Sequence, residues 1–258
     1  MKKEFRYTLS NLKKDWGKKY DIEYSRDHYD NRVWFLEKEI LRKILRKGSS
    51  QKIMDFACGT GRIAEYLGEI GFRGIVCLDA SNEMLKEARK KIKKSKFFCV
   101  DITSSQINKK LKKESFGIIT AFRFFLNADL ELREEAIHKL DWMLKKKGIL
   151  IFNIHGNTNS LRFFQVIIIN FLKYFLQKEK RKDKSYVCYR NQLSIRDIKK
   201  LLAPTNIRIK EIYSYSFLPE IFWRILSLRT WLKIERKLIT RKYFFGTHLL
   251  FVCEKVKK

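Results

Sequence analysis

The sequence predicts an α/β protein: a doubly wound, mostly parallel sheet covered on both faces, with an N-terminal helical segment and a helical lid in the C-terminal part. Two observations carry that class. Short apolar runs of strand length alternate with helical periodicities between residues 31 and 155, and such alternation implies right-handed crossovers and a buried parallel sheet. The stretch DFACGTGR, Asp55 to Arg62, sets Ala57, Gly59 and Gly61 between a strand and a helix, a turn in which missing side chains let a ligand approach the backbone.

The elements follow in order. Residues 31–47 place Val33, Leu36, Ile40, Leu41, Ile44 and Leu45 at helical spacing, with Gly48 where a C-terminal cap belongs. KIMDFAC is a short buried strand, RIAEYLGEIG a helix closed by Gly71, and GIVCLDA a second strand. Helix NEMLKEARKKIKK, strand KFFCVDI, strand FGIITAF, helix ELREEAIHKLDWMLKKKG and strand ILIFNIH complete the alternation. Sheets of this kind bind ligands beyond the carboxyl ends of their strands, where strand order reverses.

At 258 residues the chain is long enough to bury a full α/β core, and 45% apolar and 14% aromatic residues exclude a disordered chain. Its formal charge is +29, and residues 156–258 hold 23 Lys and Arg against 7 Asp and Glu, a surplus of 16. Such a field attracts nucleic acid, anionic lipid or phosphorylated substrates, unless it is only a solvated lysine-rich surface. The five cysteines, Cys58, Cys77, Cys99, Cys188 and Cys253, form no C-x-x-C pair, so they read as buried small hydrophobes in a reducing cytoplasm, with no metal site signalled. The N-terminus has no signal-peptide pattern.

Three strand ends carry carboxylates. Asp55 precedes the glycine turn; Asp79, 24 residues later, can accept hydrogen bonds from ribose hydroxyls; Asp101, with the Ile102 backbone, can meet an adenine. Each also has a plainer reading as a cap of the following helix. At these residues the sequence resembles the class I, seven-stranded S-adenosylmethionine-dependent methyltransferases: DFACGTG is similar to that family's first motif, LDAS to its second and CVDI to its third, over roughly residues 50–155 plus a closing strand GTHLLFVCEK. The turn is not a dinucleotide G-x-G-x-x-G loop, and no Gly-Lys-Ser/Thr follows to make a P-loop.

The resemblance implies S-adenosylmethionine as cofactor and methyl transfer as activity. It implies that Asp55, Ala57, Gly59, Thr60 and Gly61 line the methionine part, Asp79 and Ala80 the ribose, Ser81 and Met84 the cavity beyond, and Asp101 and Ile102 the adenine. Ala57 departs from the family's usual glycine. The Asn/Asp-Pro-Pro-aromatic signature of amino-group methyltransferases and the Pro-Cys of cytosine-C5 enzymes are both missing. Arg123 and Asn127, after the fourth strand, are then candidate substrate residues, although Asn127 can equally start the next helix. His155, at the end of the fifth strand, and His28, before the first helix, are candidate general bases, with Tyr29 a shield over the cofactor. His138 and His248 are weaker candidates.

The chain is expected to divide into a helical cover (1–48), a cofactor-binding core (49–156), a lid and substrate region with interleaved core elements (157–242) and a closing strand (243–258). Residues 161–176 hold 12 apolar positions, with Arg162, Gln165, Asn170 and Lys173 on one side, too short for a membrane span and suited to an interface or a core. A second segment, residues 219–242, lines Ile221, Ile225, Leu228, Leu232 and Ile239 on one helical face, with Trp223 and Trp231 among seven basic residues. It reads either as a membrane-surface helix or as part of a lid packed on the sheet. The function expected is O-methylation of a small or lipid-linked hydroxylated acceptor, in the cytoplasm or at the inner membrane face. An RNA methyltransferase using the basic half is the alternative, and a non-catalytic binding module a third.

Overall fold

The computed structural model describes residues 29–45, 50–165, 167–168 and 192–256. Helix α1 (Tyr29–Ile44) leads into β1 (Ile53–Phe56), α2 (Arg62–Glu69), β2 (Val76–Asp79), α3 (Asn82–Lys91), β3 (Lys96–Cys99), α4 (Ile107–Lys110), β4 (Phe116–Ala121), α5 (Phe124–Asn127), α6 (Leu130–Met143) and β5 (Leu144–Ile154). After residues 161–165, which are helical, come α7 (Ile195–Leu202), β6 (Ile207–Tyr215), α8 (Glu220–Ile225), α9 (Leu228–Leu238) and β7 (His248–Lys255). One seven-stranded sheet runs β3-β2-β1-β4-β5-β7-β6. Its first five strands are parallel, and β7 lies antiparallel between β5 and β6.

Strand alternation divides the core in two. Met54, Leu78, Ile119, Leu150, Phe152 and Phe251 face α6 and α7, whose Ile137, Leu140, Ile198 and Leu202 close that side. Ile53, Cys77, Ile118, Ile151, Leu250 and Val252 face the other way, against α1, α2 and α9. Successive strand residues point to opposite faces, so a near-continuous apolar run is what a strand covered on both sides requires. Strand order reverses between β1 and β4, and there the glycine turn emerges.

Helix α2 ends as the sequence expects: the Gly71 N–H donates to Gly68 O and the Phe72 N–H to Leu67 O, the paired bonds of a glycine-closed terminus. Four expectations are corrected. The segment LKKKG, assigned to the end of a helix, opens β5 instead, because Leu144 pairs with Phe116 and the ladder shifts register between Phe116 and Ile118. That irregularity is accommodated by Lys147 in a left-handed conformation, φ 59°, as β-bulges are.

The 219–242 segment is two helices, because Ser227 accepts the Thr230 N–H and restarts the chain as an N-cap. Its expected single apolar face is therefore divided: Trp231 and Leu232 are buried in the core, whereas Ile221 and Ile225 are exposed. Of the two readings of this segment, Trp231, fully buried, follows the packed one. Asn127 does not start α6; Asp129 does, accepting the Leu132 N–H at 2.8 Å. Cys99 is exposed, while Cys58, Cys77 and Cys253 are buried. His28, Gly48, Cys188 and most of the 161–176 segment lie outside the described residues. Among the described residues no helix is long and apolar enough to cross a membrane.

Candidate active site

The turn after β1 is a run of left-handed residues: Ala57 at φ 52°, Gly59 at φ 55° and Gly61 at φ 84°. A side chain on Gly59 would project into open space, so no packed protein stands in front of the loop there. Gly61 is crowded instead, its missing Cβ aimed at Ala88 of α3 and at Ile92 just after it, which lets the start of α2 pack against the C-terminal end of α3. Thr60 is buried within the turn. Ala57 adopts a conformation that costs an L-residue about 1 kcal/mol or more, and it does so because the Cys58 N–H must reach Leu78 O across the strand ends.

Asp79 ties this loop to β2. One carboxylate oxygen accepts the Gly59 N–H and the other the Ser81 N–H, each at 2.8 Å. Burial raises its carboxyl above the ordinary value, against the lowering effect of those two donors. A carboxylate has about four lone-pair sites, so both oxygens keep capacity for a ligand. Ser81 caps α3 by accepting the Met84 N–H, Met84 is buried beneath it, and Ala80 is exposed at the rim. Asp101 is exposed and turns back on its own chain, where one oxygen accepts the Thr103 N–H and hydroxyl at 2.9 Å, while Ile102 is buried behind it.

Asp55 lies deeper. Its carboxylate accepts the Thr120 hydroxyl at 2.8 Å and the Ala64 N–H of α2 at 3.2 Å. Burial pushes its carboxyl up to about 7 despite these bonds. Beside it the core turns polar along the strand ends: Asn153 of β5 accepts the Arg123 N–H at 2.7 Å and donates to Glu37 at 2.7 Å. Glu37, on α1, also accepts the Tyr215 hydroxyl at 2.9 Å and faces Arg62 at 3.9 Å. The Arg62 guanidinium in turn lies 4.6 Å over the Trp34 ring. A single fully buried carboxylate thereby fastens α1 to β5, β6 and α2.

Next to this network is a second buried polar cluster. Because β7 is antiparallel, its first residue, His248, lies beside the carboxyl end of β5, whose Ile154 pairs with Leu249. The His155 and His248 rings are 6.3 Å apart. Tyr29, from the first turn of α1, shares a hydrogen bond with the Ser216 hydroxyl and is 3.5 Å from His248 Nε2. Arg123, at φ 59°, holds Asp30 of α1 at 3.0 Å. Against the upward push of burial, that guanidinium keeps the Asp30 carboxyl well below the usual carboxylate range.

Burial and the Arg123 charge lower the His155 imidazolium to about 3, and burial and His155 lower His248 well below its ordinary value. Both rings are neutral near pH 7, and the Nδ1 atom of each has no hydrogen-bond partner among the described residues. Asn127 donates to the Arg123 carbonyl at 2.6 Å, bracing the turn that carries Arg123. Tyr29, expected over the cofactor, has its hydroxyl on Ser216 and beside His248. Asp30, Glu37, Asn153 and Ser216 were not among the sequence-based site residues, and His248 was only a weaker candidate. No group of three or more His, Cys, Asp or Glu suited to a metal ion occurs among the described residues.

Residues 54–152 match the family model described as a methyltransferase domain. A curated protein of Geobacillus sp. (strain WCH70), described as a putative methyltransferase, is 28% identical over 148 residues, 57% of this chain. The match spans 58% of that relative's length. A solved S-adenosylmethionine-dependent methyltransferase of Thermotoga maritima, described as a possible histamine N-methyltransferase, superposes with a TM-score of 0.64 at 19% identity, covering 92% of this chain and 95% of that one. Geranyl diphosphate C-methyltransferase of Streptomyces coelicolor A3(2), solved with Mg2+, geranyl diphosphate and S-adenosyl-L-homocysteine, gives 0.57 at 14% identity, covering 95% and 85%. At these identities the two structures speak to fold. The strand order, the glycine turn at its reversal and the matched domain have one common explanation: residues 54–152 form a methyltransferase domain that uses S-adenosylmethionine, on a seven-stranded fold similar to that of solved S-adenosylmethionine-dependent methyltransferases.

Proposed function

We propose that the chain transfers a methyl group to the hydroxyl of a small or lipid-linked acceptor held between His155, His248, Tyr29 and Arg123. The observation that supports this reading most is the pair of buried, neutral imidazoles with open Nδ1 atoms at the carboxyl end of β5. A buried polar atom without a partner is costly, and an acceptor hydroxyl is the kind of group that would satisfy one.

The open space in front of Gly59 and the remaining lone pairs of Asp79 fit the cofactor. In this reading Ala57, Gly59, Thr60 and Gly61 approach its methionine part, Asp79 and Ala80 its ribose, and Asp101 and Ile102 its adenine edge, with Ser81 and Met84 shaping the wall. The bound cofactor supplies an electrophilic methyl group on a sulfonium. The protein's contribution is alignment of donor and acceptor and exclusion of water. Asp55 holds the start of α2 and thereby the loop. Arg123 and Asp30 neutralise each other, so the cluster carries little net charge and favours an uncharged acceptor. His155 accepts the acceptor's proton: an oxygen gaining a methyl group becomes far more acidic than an imidazolium, so a weakly basic ring suffices and the proton moves late.

Calorimetric titration of S-adenosylmethionine and S-adenosyl-L-homocysteine into the wild type and Asp79→Ala tests the cofactor half; binding in the wild type and its loss in the variant are expected. For the acceptor, a methyl-labelled cofactor is incubated with a total lipid extract or with total RNA. Alkali-stable label in the organic phase is expected, and its loss in His155→Gln. Label found only in precipitated RNA would replace this reading by an RNA methyltransferase.

A further inference from the structure

The outer side of the segment 220–238 carries both apolar residues and positive charge. Ile221 is 63% exposed and Ile225 68%, with Phe222 between them. On α9, Arg229, Lys233 and Lys237 follow one another at i, i+4 spacing on the solvent side, beside the exposed Ile234 and Leu238. The acid of that helix, Glu235, is fully buried and accepts the Phe217 and Leu218 N–H groups. The outward surface of α9 therefore presents cations and aliphatic side chains with no opposing carboxylate of its own.

A second apolar set lies nearby. Leu161, Phe164, Ile167 and Ile168 are exposed on the helical turn after β5. Both sets are anchored on the first turn of α1. The Arg162 guanidinium lies 5.5 Å over the Tyr29 ring, and Arg32, three residues along α1, donates to Leu226 O at 2.8 Å and lies 6.0 Å over Trp223. Tyr29 reaches with its hydroxyl into the His248–Ser216 cluster. The exposed apolar side chains thus flank the helix turn that covers the proposed acceptor site.

We propose that this surface, α8 and α9 with the turn at 161–168, docks on an anionic lipid bilayer and opens the acceptor site toward it. This deepens the reading of a lipid-linked acceptor and rests on it. Branched aliphatic chains flanked by Lys and Arg suit the boundary between headgroups and acyl chains. Nucleic acid is matched less well, because Ile and Leu offer no π face for a base to stack on.

The full chain is sedimented with vesicles of mixed phosphatidylglycerol and phosphatidylcholine, and with vesicles of phosphatidylcholine alone. Two variants, Ile221→Ser/Ile225→Ser and Arg229→Ala/Lys233→Ala/Lys237→Ala, are compared with the wild type. Binding to the anionic vesicles only is expected. The first variant weakens it about a hundredfold or more, the worth of burying two isoleucines. The second weakens it about fivefold for each charge removed. All these residues are exposed, and S-adenosyl-L-homocysteine titrations on the same preparations report an intact core.

Undiminished vesicle binding by both variants overturns the proposal. So does the absence of vesicle binding while the cofactor product still binds, and so does binding to RNA alone that ignores Ile221 and Ile225. A dimer in the wild type that disappears in Ile221→Ser/Ile225→Ser assigns the surface to a second copy and overturns it too. Loss of cofactor-product binding in the wild type, by contrast, strikes the methyltransferase reading itself.

Discussion

Replacing Asp55 by Asn should remove a pH dependence of stability that the buried carboxyl imposes. Burial carries the Asp55 carboxyl from its ordinary 3.8 up to about 7, so between these values the folded chain holds a proton that the unfolded chain has released. Stability from this group is complete below about pH 4 and declines as pH rises to about 7; a shift of roughly three units at 1.36 kcal/mol each makes the full loss about 4 kcal/mol. The neutral side chain has a ready hydrogen-bond arrangement. The Thr120 hydroxyl lies 3.3 Å from Met54 O as well as 2.8 Å from Asp55, so it can turn to the carbonyl and accept from a protonated acid or an amide.

His155 and His248, buried neutral, give the opposite slope below their ordinary value, and Asp30, held ionised by Arg123, loses its stabilising effect only in strong acid. The difference between the two proteins isolates Asp55. In urea titrations followed by tryptophan fluorescence, Asp55→Asn should gain roughly 3 kcal/mol on the wild type between about pH 5 and pH 8. A difference that stays constant over that range would refute the reasoning.

Ala57→Gly should stabilise the chain by about 1 kcal/mol, raising the melting temperature by roughly 2–4 °C, because glycine relieves the left-handed strain at φ 52°; a lowered melting temperature counts against it. Glu37→Ala should cost about 3–5 kcal/mol in urea, since it strands Asn153, Tyr215 and Arg62, while Glu37→Gln keeps an acceptor for Asn153 and Tyr215 and should recover part of it. The rate of methyl transfer should show no limb near about pH 6.5, because His155 stays neutral down to about 3; a limb there that vanishes in His155→Gln would sink its assigned state.

The five parallel strands and the closing strand were legible because their runs are mostly apolar and the crossovers have helical length, and the turn at 57–61 because two of only 11 glycines stand there; β6, with charged residues among its apolar ones, was not assigned. The polar network was harder to see, since it is assembled from residues 37, 62, 123, 153 and 215, which only tertiary packing brings together. A signal for Glu37 existed: it stands four residues from both Val33 and Leu41, on the apolar stripe of its own helix. Asn153, inside a run that is otherwise apolar, was a similar sign. His248 was a weaker candidate whose place beside His155 no sequence signal showed, because the two meet only through the antiparallel pairing of β7. The break at Ser227 was hidden by the continuous amphipathic pattern around it, in which a serine cap looks like one more polar position.

The order of strands also fixes when each part of the molecule can exist. β7 is the last strand in the sequence, yet it lies between β5 and β6. During synthesis the five parallel strands and their helices can assemble as they emerge, but β6 has no partner until residue 255 has left the ribosome, and β5 keeps an open edge meanwhile. The cofactor turn is thus among the earliest features to form, and the His155–His248 cluster among the last. In the proposed reading a nascent chain can hold the methyl donor long before it has anywhere to put an acceptor, and a chain cut short before β7 leaves both β5 and β6 without the strand between them.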